Sequence, residues 1–156
     1  MSEAAKLLEH ALARGVMIAT AESCTAGLIA GAITEVPGSS AIFDRGFVTY
    51  SNAAKIAMLG VQQATLEAHG AVSEEIAIAM AQGALARSDA DLAVAVTGLA
   101  GPGGSEFKPE GRVCFGLAQT GHVTQVETIE FGAIGRSEVR QATVKHAMAL
   151  LIKALS

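Results

Sequence analysis

Two short runs, Val16-Met17-Ile18-Ala19-Thr20 and Leu92-Ala93-Val94-Ala95-Val96, lack the apolar–polar alternation of a half-exposed strand. A strand reads as continuously apolar when both of its faces are covered, which is the situation in a parallel sheet sandwiched between helices. Five residues is short for a buried helix, and Gly15 bounds the first run. Both runs therefore read as central strands, and that requirement constrains the rest of the chain.

The surrounding segments supply the covering helices. Residues 2–14 read as a helix, with Ser2 as its cap, Glu3 in the positive first turn and Gly15 as its stop. An Ala/Gly/Ile-rich stretch ending near Thr34 reads as a closely packing helix, and Pro37-Gly38-Ser39-Ser40 as a loop. A second strand is expected over residues 42–50. After it come a short helix capped by Asn52 and stopped by Gly60, a helical turn or two over 63–69, and a helix capped by Ser73. Past the second apolar run, residues 98–111 form a Gly/Pro-rich loop. Val113, Phe115 and Leu117 then alternate with Cys114, Gly116 and Ala118 as a strand, and Thr120-Gly121 turns it into a hairpin ending near Phe131. The last helix runs from about Ser137 to Leu155. The expected fold is α/β: a three-layer α/β/α domain with a mixed, mostly parallel sheet plus a C-terminal hairpin and helix, one domain over residues 1–156.

A composition of 51% hydrophobic residues, with 17 Gly, 4% aromatics and no Trp, suits helices packed tightly on a sheet. A net charge of -4 argues against a general nucleic-acid surface. No apolar run approaches the roughly 20 residues that span a bilayer, and Met1-Ser2-Glu3 lacks a basic leader. Cys24 and Cys114 form no CxxC pair and read as free thiols. The expectation is a soluble cytoplasmic protein that binds neither nucleic acid nor membrane.

Three loops can carry chemistry. Thr20-Ala21-Glu22-Ser23-Cys24-Thr25 joins a buried strand to a helix, so Ser23 reads either as a helix cap, the commoner role, or as a nucleophile beside helix N–H groups able to hold an oxyanion. A serine nucleophile needs a base. None of His10, His69, His122 and His146 falls in a candidate loop. In Thr49-Tyr50-Ser51-Asn52-Ala53-Ala54-Lys55, Lys55 sits in a helix's first turn, where burial and the positive helix end lower a lysine pKa. A surface lysine and a half-buried strand tyrosine remain the plainer reading of Lys55 and Tyr50. Thr97-Gly98-Leu99-Ala100-Gly101-Pro102-Gly103-Gly104 reads equally as a mobile loop or an anion cradle, and it matches neither a P-loop nor a dinucleotide fingerprint. No metal-ligand spacing occurs, so the site is expected to use no metal and no cofactor.

Taken together the wording of these loops is specific. Thr20-Ala21-Glu22-Ser23-Cys24-Thr25, Val48-Thr49-Tyr50-Ser51-Asn52 with Lys55 and Leu59-Gly60-Val61, and Ala95-Val96-Thr97-Gly98 through Gly101-Pro102 and Lys108-Pro109 closely resemble the CinA C-terminal family. The resemblance covers nearly the whole chain. It implies hydrolysis of nicotinamide mononucleotide to nicotinic acid mononucleotide and ammonia in pyridine-nucleotide recycling, by a homodimer acting on this small-molecule nucleotide. It further implies Ser23 as nucleophile, Lys55 as base and Tyr50 beside them. Substrate-holding positions fall on Cys24, Thr25, Ala26, Asn52, Thr97, Gly98, Gly101, Gly104 and Arg140. Ala26 stands where the family usually has Gly, Glu110 where a small apolar residue is common, and Ile134-Gly135 where a Gly-Asp pair precedes Arg136. The other function class is a non-catalytic nucleotide-binding or regulatory module, since the family is linked by name to competence and damage induction.

Overall fold

The computed structural model describes residues 1–105 and 107–156; Glu106, inside the expected glycine-rich loop, lies outside the described residues. The elements are α1 (Glu3–Arg14), β1 (Ile18–Glu22), α2 (Leu28–Ile33), β2 (Phe43–Val48), α3 (Asn52–Leu59), α4 (Gln63–His69), α5 (Glu74–Ala86), β3 (Leu92–Gly98), β4 (Arg112–Gln119), β5 (Gln125–Glu130) and α6 (Arg136–Leu155). The five strands lie in the order β2-β1-β3-β4-β5. β1 pairs in parallel with both β2 and β3, whereas β4 and β5 complete the sheet antiparallel. The expected mixed α/β fold with its C-terminal hairpin and helix is therefore present.

The two continuously apolar runs occupy the middle of this sheet, and their side chains split by size. Leu92, Val94 and Val96 point with Ile18, Val113 and Phe115 into a core shared with α1, α2 and α6. On the opposite face Ala19, Ala21, Ala93 and Ala95 meet Leu59, Ile76, Met80 and Ala84 of α3 and α5. The small face lets α5 settle close to the strands. At Gly116 an added Cβ would stand 2.3 Å from the Ala77 carbonyl oxygen of α5, so this position has no room for a side chain. The Ala- and Gly-rich composition thus has a local cause, which is the distance between α5 and the sheet.

The topology also fixes where a ligand can sit. From β1 the chain crosses by α2 to β2 on one face; from β2 it returns by α3, α4 and α5 on the other face to reach β3. Connections that leave neighbouring strands toward opposite faces open a crevice at the carboxyl ends of those strands. Glu22 is in register with both Val48 and Val96. Ser23 and Thr49, which follow β1 and β2, and Thr97, near the end of β3, consequently lie together at the carboxyl ends of three adjacent strands.

Local details differ from the sequence expectation. β1 begins two residues later than expected and runs through Glu22, and the helix after the serine loop starts only at Leu28. Ser51 rather than Asn52 caps α3, its hydroxyl accepting the Ala54 N–H at 3.0 Å. Asn52 is instead the first residue of the helix, so its side chain is not committed to capping. Among the described residues, no helix is long and apolar enough to cross a membrane.

Candidate active site

Lys55 is the most unusual side chain in the fold. It is 1% exposed, among the largest fully buried side chains, and it forms no salt bridge among the described residues. Its Nζ lies 3.0 Å from Ser23 Oγ, 3.0 Å from the Thr49 carbonyl oxygen and 3.3 Å from the Tyr50 carbonyl oxygen. Burial pushes its ammonium below the ordinary lysine value, with the Cys24 thiol acting in the opposite sense. Nζ donates to all three oxygens, and loss of one proton from the ammonium would leave a lone pair facing the Ser23 hydroxyl. That is the arrangement a serine needs to lose its proton.

Glu22 shapes the loop that carries Ser23. It is 1% exposed, and its Oε1 accepts from Thr25 Oγ1 at 2.7 Å, Gly27 N–H at 3.2 Å and Ile29 N–H at 2.8 Å. Its Oε2 accepts the Ala30 N–H at 2.9 Å. A buried carboxylate at the positive end of a helix satisfies donors that the helix itself leaves orphaned. The consequence for catalysis is direct. The N–H groups of α2 expected to face an oxyanion are already occupied, and the remaining candidates are the amides of Cys24 and Thr25, which have no backbone acceptor among the described residues. Between them and α2, Ala26 adopts φ +48°, the one non-glycine residue with positive φ among those described. Ser23 is anchored to the sheet by its own N–H, which donates to the Val96 carbonyl at 3.1 Å.

Beside Ser23 opens a cavity of about 410 Å³. Its wall includes Ser23, Cys24, Tyr50, Asn52, Lys55, Thr97, Gly98, Gly101 and Gly104 from the sequence-derived set. Thr97 keeps its hydroxyl for the Ala71 carbonyl, at 2.7 Å, tying β3 to the segment before α5. Cys24 is pushed up to about 11 by burial, so its thiol stays protonated and a poor nucleophile at neutral pH. Tyr50 is exposed, and its hydroxyl accepts from Arg136 Nη2 at 2.8 Å rather than meeting Lys55; only its backbone carbonyl does so.

Three residues of the set do not line the cavity: Thr25, Ala26 and Arg140. Arg140 Nε donates to the Cys24 carbonyl at 3.1 Å and its Nη2 to the Thr25 carbonyl at 3.5 Å, so it braces the Ser23 loop from α6. The guanidinium on the cavity wall belongs to Arg136, which also donates from Nη1 to the Gly101 carbonyl at 2.7 Å. Sequence reasoning missed Arg136 and the capping role of Glu22. A carboxylate six residues ahead of an Ala/Gly-rich helix start was the available signal for Glu22; nothing in the sequence separates Arg136 from Arg140, one turn apart on the same helix.

Comparison with known proteins places this geometry among relatives. The sequence model of the CinA C-terminal domain matches residues 2–155. A CinA-like protein from Mycolicibacterium vanbaalenii is 51% identical over 146 residues, covering 93% of this chain and 34% of that protein. A CinA-like protein from Chlorobium phaeobacteroides is 58% identical over 123 residues, covering 77% and 29%. The chain spans about a third of the length of these curated relatives. Among solved structures, a competence/damage inducible protein from Agrobacterium tumefaciens is 49% identical with TM-score 0.90, covering 98% of this chain and 96% of that one. A CinA superfamily protein from Escherichia coli is 36% identical with TM-score 0.93, covering 98% and 88%.

Proposed function

The chain belongs to the CinA C-terminal domain family, and on that footing we propose that it is an amidohydrolase converting nicotinamide mononucleotide to nicotinic acid mononucleotide and ammonia. The observation that carries this reading is the Lys55–Ser23 pair: a buried lysine with no acidic partner among the described residues, its Nζ 3.0 Å from a serine hydroxyl on the wall of a cavity. A binding module has no use for a lysine held in this state, because the desolvation it suffers returns nothing unless the neutral amine does work.

The steps follow from the contacts. Neutral Lys55 takes the Ser23 proton as Oγ attacks the carboxamide carbon, and the amides of Cys24 and Thr25 receive the developing oxyanion. The lysine ammonium returns the proton to the departing nitrogen, which leaves as ammonia and creates a Ser23 ester. Water, deprotonated by the same lysine, then adds to the ester carbon, the C–Oγ bond breaks, and the lysine ammonium returns the proton to Ser23 Oγ as the carboxylic acid leaves. Arg140 holds the carbonyls of Cys24 and Thr25, and so keeps the donor pair in place through the cycle. Arg136 and the glycine loop form the wall that faces the nucleotide's phosphate.

The test is ammonia release from nicotinamide mononucleotide by the purified protein without added metal. Ser23→Ala is expected to lower kcat by about a thousandfold or more, and full turnover in that variant refutes the nucleophile assignment. Binding of the nucleotide by the unaltered chain with no ammonia released would favour the regulatory-module reading instead.

A further inference from the structure

The loop joining β3 to β4 is folded back on itself. Ser105 and Lys108 exchange two backbone hydrogen bonds, and the Gly111 N–H donates to the Leu99 carbonyl at 2.7 Å. Lys108 Nζ pins this fold to the segment before α5, donating to the carbonyls of His69 and Val72 at 2.6 Å each. Across the loop lies Glu110. Its carboxylate accepts the N–H of Gly103. It also covers Gly101, where an added Cβ would come within 2.8 Å of the Glu110 carboxyl carbon. Gly101 and Gly103 both line the cavity, and Glu110 itself does not.

This placement bears on what the cavity can hold. Two cationic side chains reach its wall among the described residues, Lys55 and Arg136. Lys55 is engaged at Ser23, and Arg136 is engaged by the Gly101 carbonyl and the Tyr50 hydroxyl. An anionic group arriving at the glycine loop therefore looks to backbone amides for donors. One of those amides already holds a carboxylate of the protein, and that carboxylate repels a second anion through the thickness of a single loop.

We propose that Glu110 is a specificity-determining residue that sets the charge preference of the cavity: it occupies the Gly103 amide that a substrate phosphate would otherwise use, and its own charge opposes that phosphate. The proposal rests on the reading of the cavity as a nucleotide carboxamide site, and it refines the substrate class. The site discriminates only weakly in favour of a phosphorylated nucleotide over the nucleoside carboxamide that lacks the phosphate.

The experiment is calorimetric titration of the full chain with inorganic phosphate alone and, separately, with nicotinamide riboside. Glu110→Gln keeps the side chain's length and a carbonyl acceptor but removes the charge. Relief of one unit charge at roughly 5 Å, screened to a level between protein surface and water, corresponds to about tenfold tighter phosphate binding. Glu110→Ala, which also frees the Gly103 amide, is expected to tighten phosphate binding at least as much, whereas nicotinamide riboside, a pyridinium cation with no phosphate, is expected to bind neither variant more tightly than the unaltered chain. Phosphate binding in Glu110→Gln that is undetectable, weaker than or equal to that of the unaltered chain overturns the proposal, as does an equal change for the riboside, which would mark Glu110 as a structural latch. These titrations need no turnover, so a failure of the amidohydrolase reading would show separately, as absence of released ammonia.

Discussion

Replacing Glu22 by Gln tests whether the nucleophile loop is organised by a buried negative charge. The carboxylate receives four hydrogen bonds, three at Oε1 and one at Oε2. A carboxamide has one acceptor oxygen. If that oxygen keeps the three bonds of Oε1, the new NH₂ is aimed at the Ala30 N–H, and a part-buried donor is orphaned at about 1–3 kcal/mol. The three surviving bonds change from charge-assisted to neutral, and the end of α2 loses the anion that complements its dipole, worth about 0.3–1 kcal/mol. Burying a neutral amide instead of a carboxylate returns part of this. A net loss of about 3 kcal/mol is expected, which is a large fraction of the 5–15 kcal/mol typical of a folded domain. Urea titration reads it directly: with a slope of about 2 kcal/mol/M, the midpoint should fall by about 1.5 M at unchanged slope. Turnover should drop as well, because Thr25 and the backbone after Ser23 lose their anchor. A midpoint within about 0.5 M of the unaltered chain would mean that the four hydrogen bonds do not organise the loop, and the reasoning would be wrong.

Two further outcomes follow from single residues. Ala26→Gly should raise stability, because an L side chain at φ +48° carries about 1–2 kcal/mol of left-handed strain against about 0.5–1 kcal/mol of added chain entropy for glycine. The melting temperature should rise by about 2–4 °C per kcal/mol gained, and a fall would show that Ala26 is not strained. The Lys55 prediction concerns pH: its folded value lies below the ordinary 10.5, so between those two values the unfolded chain binds the proton that the folded chain releases. Its contribution to stability is therefore least favourable below the folded value and improves as pH rises toward 10.5. Urea midpoints at neutral and alkaline pH should show Lys55→Met losing this rise, and the rising limb of kcat/KM in the unaltered chain should fall below pH 10.5. A limb at or above that value would contradict a burial-depressed lysine.

The central strands were legible because burial on both faces removes polar alternation, and this signal needs no knowledge of the neighbours. The caps Ser2 and Ser73 were legible for a similar local reason, each accepting an N–H three residues ahead. Ser51 was missed in favour of Asn52, since two adjacent residues of good capping type cannot be ranked without the backbone. The start of α2 was misplaced because a side chain from the preceding strand, Glu22, satisfies the donors that a local cap would otherwise have taken. In the site, the loops and their strand ends were readable, but partners far apart in sequence were not. Lys55 sits 32 residues from Ser23, and its burial is set by β1 and β2 lying side by side, which a helix pattern does not disclose. The exchange of positions between Arg136 and Arg140 depends on the rotation of α6 against the nucleophile loop, again a property of tertiary packing.

The hydrogen bond from the Ser23 amide to the Val96 carbonyl, together with that from the Thr49 amide to the Glu22 carbonyl, extends the ladder of the sheet one residue beyond its strands. Ser23 and the Thr49 carbonyl that accepts from Lys55 are thereby fastened to the sheet. The wall opposite them is a loop closed by a few contacts with Glu110, Lys108 and Arg136. The hydrogen bonds that hold Ser23, Lys55 and Thr49 together do not run through that loop, so changes to the wall are separable by mutation from the alignment of serine and lysine.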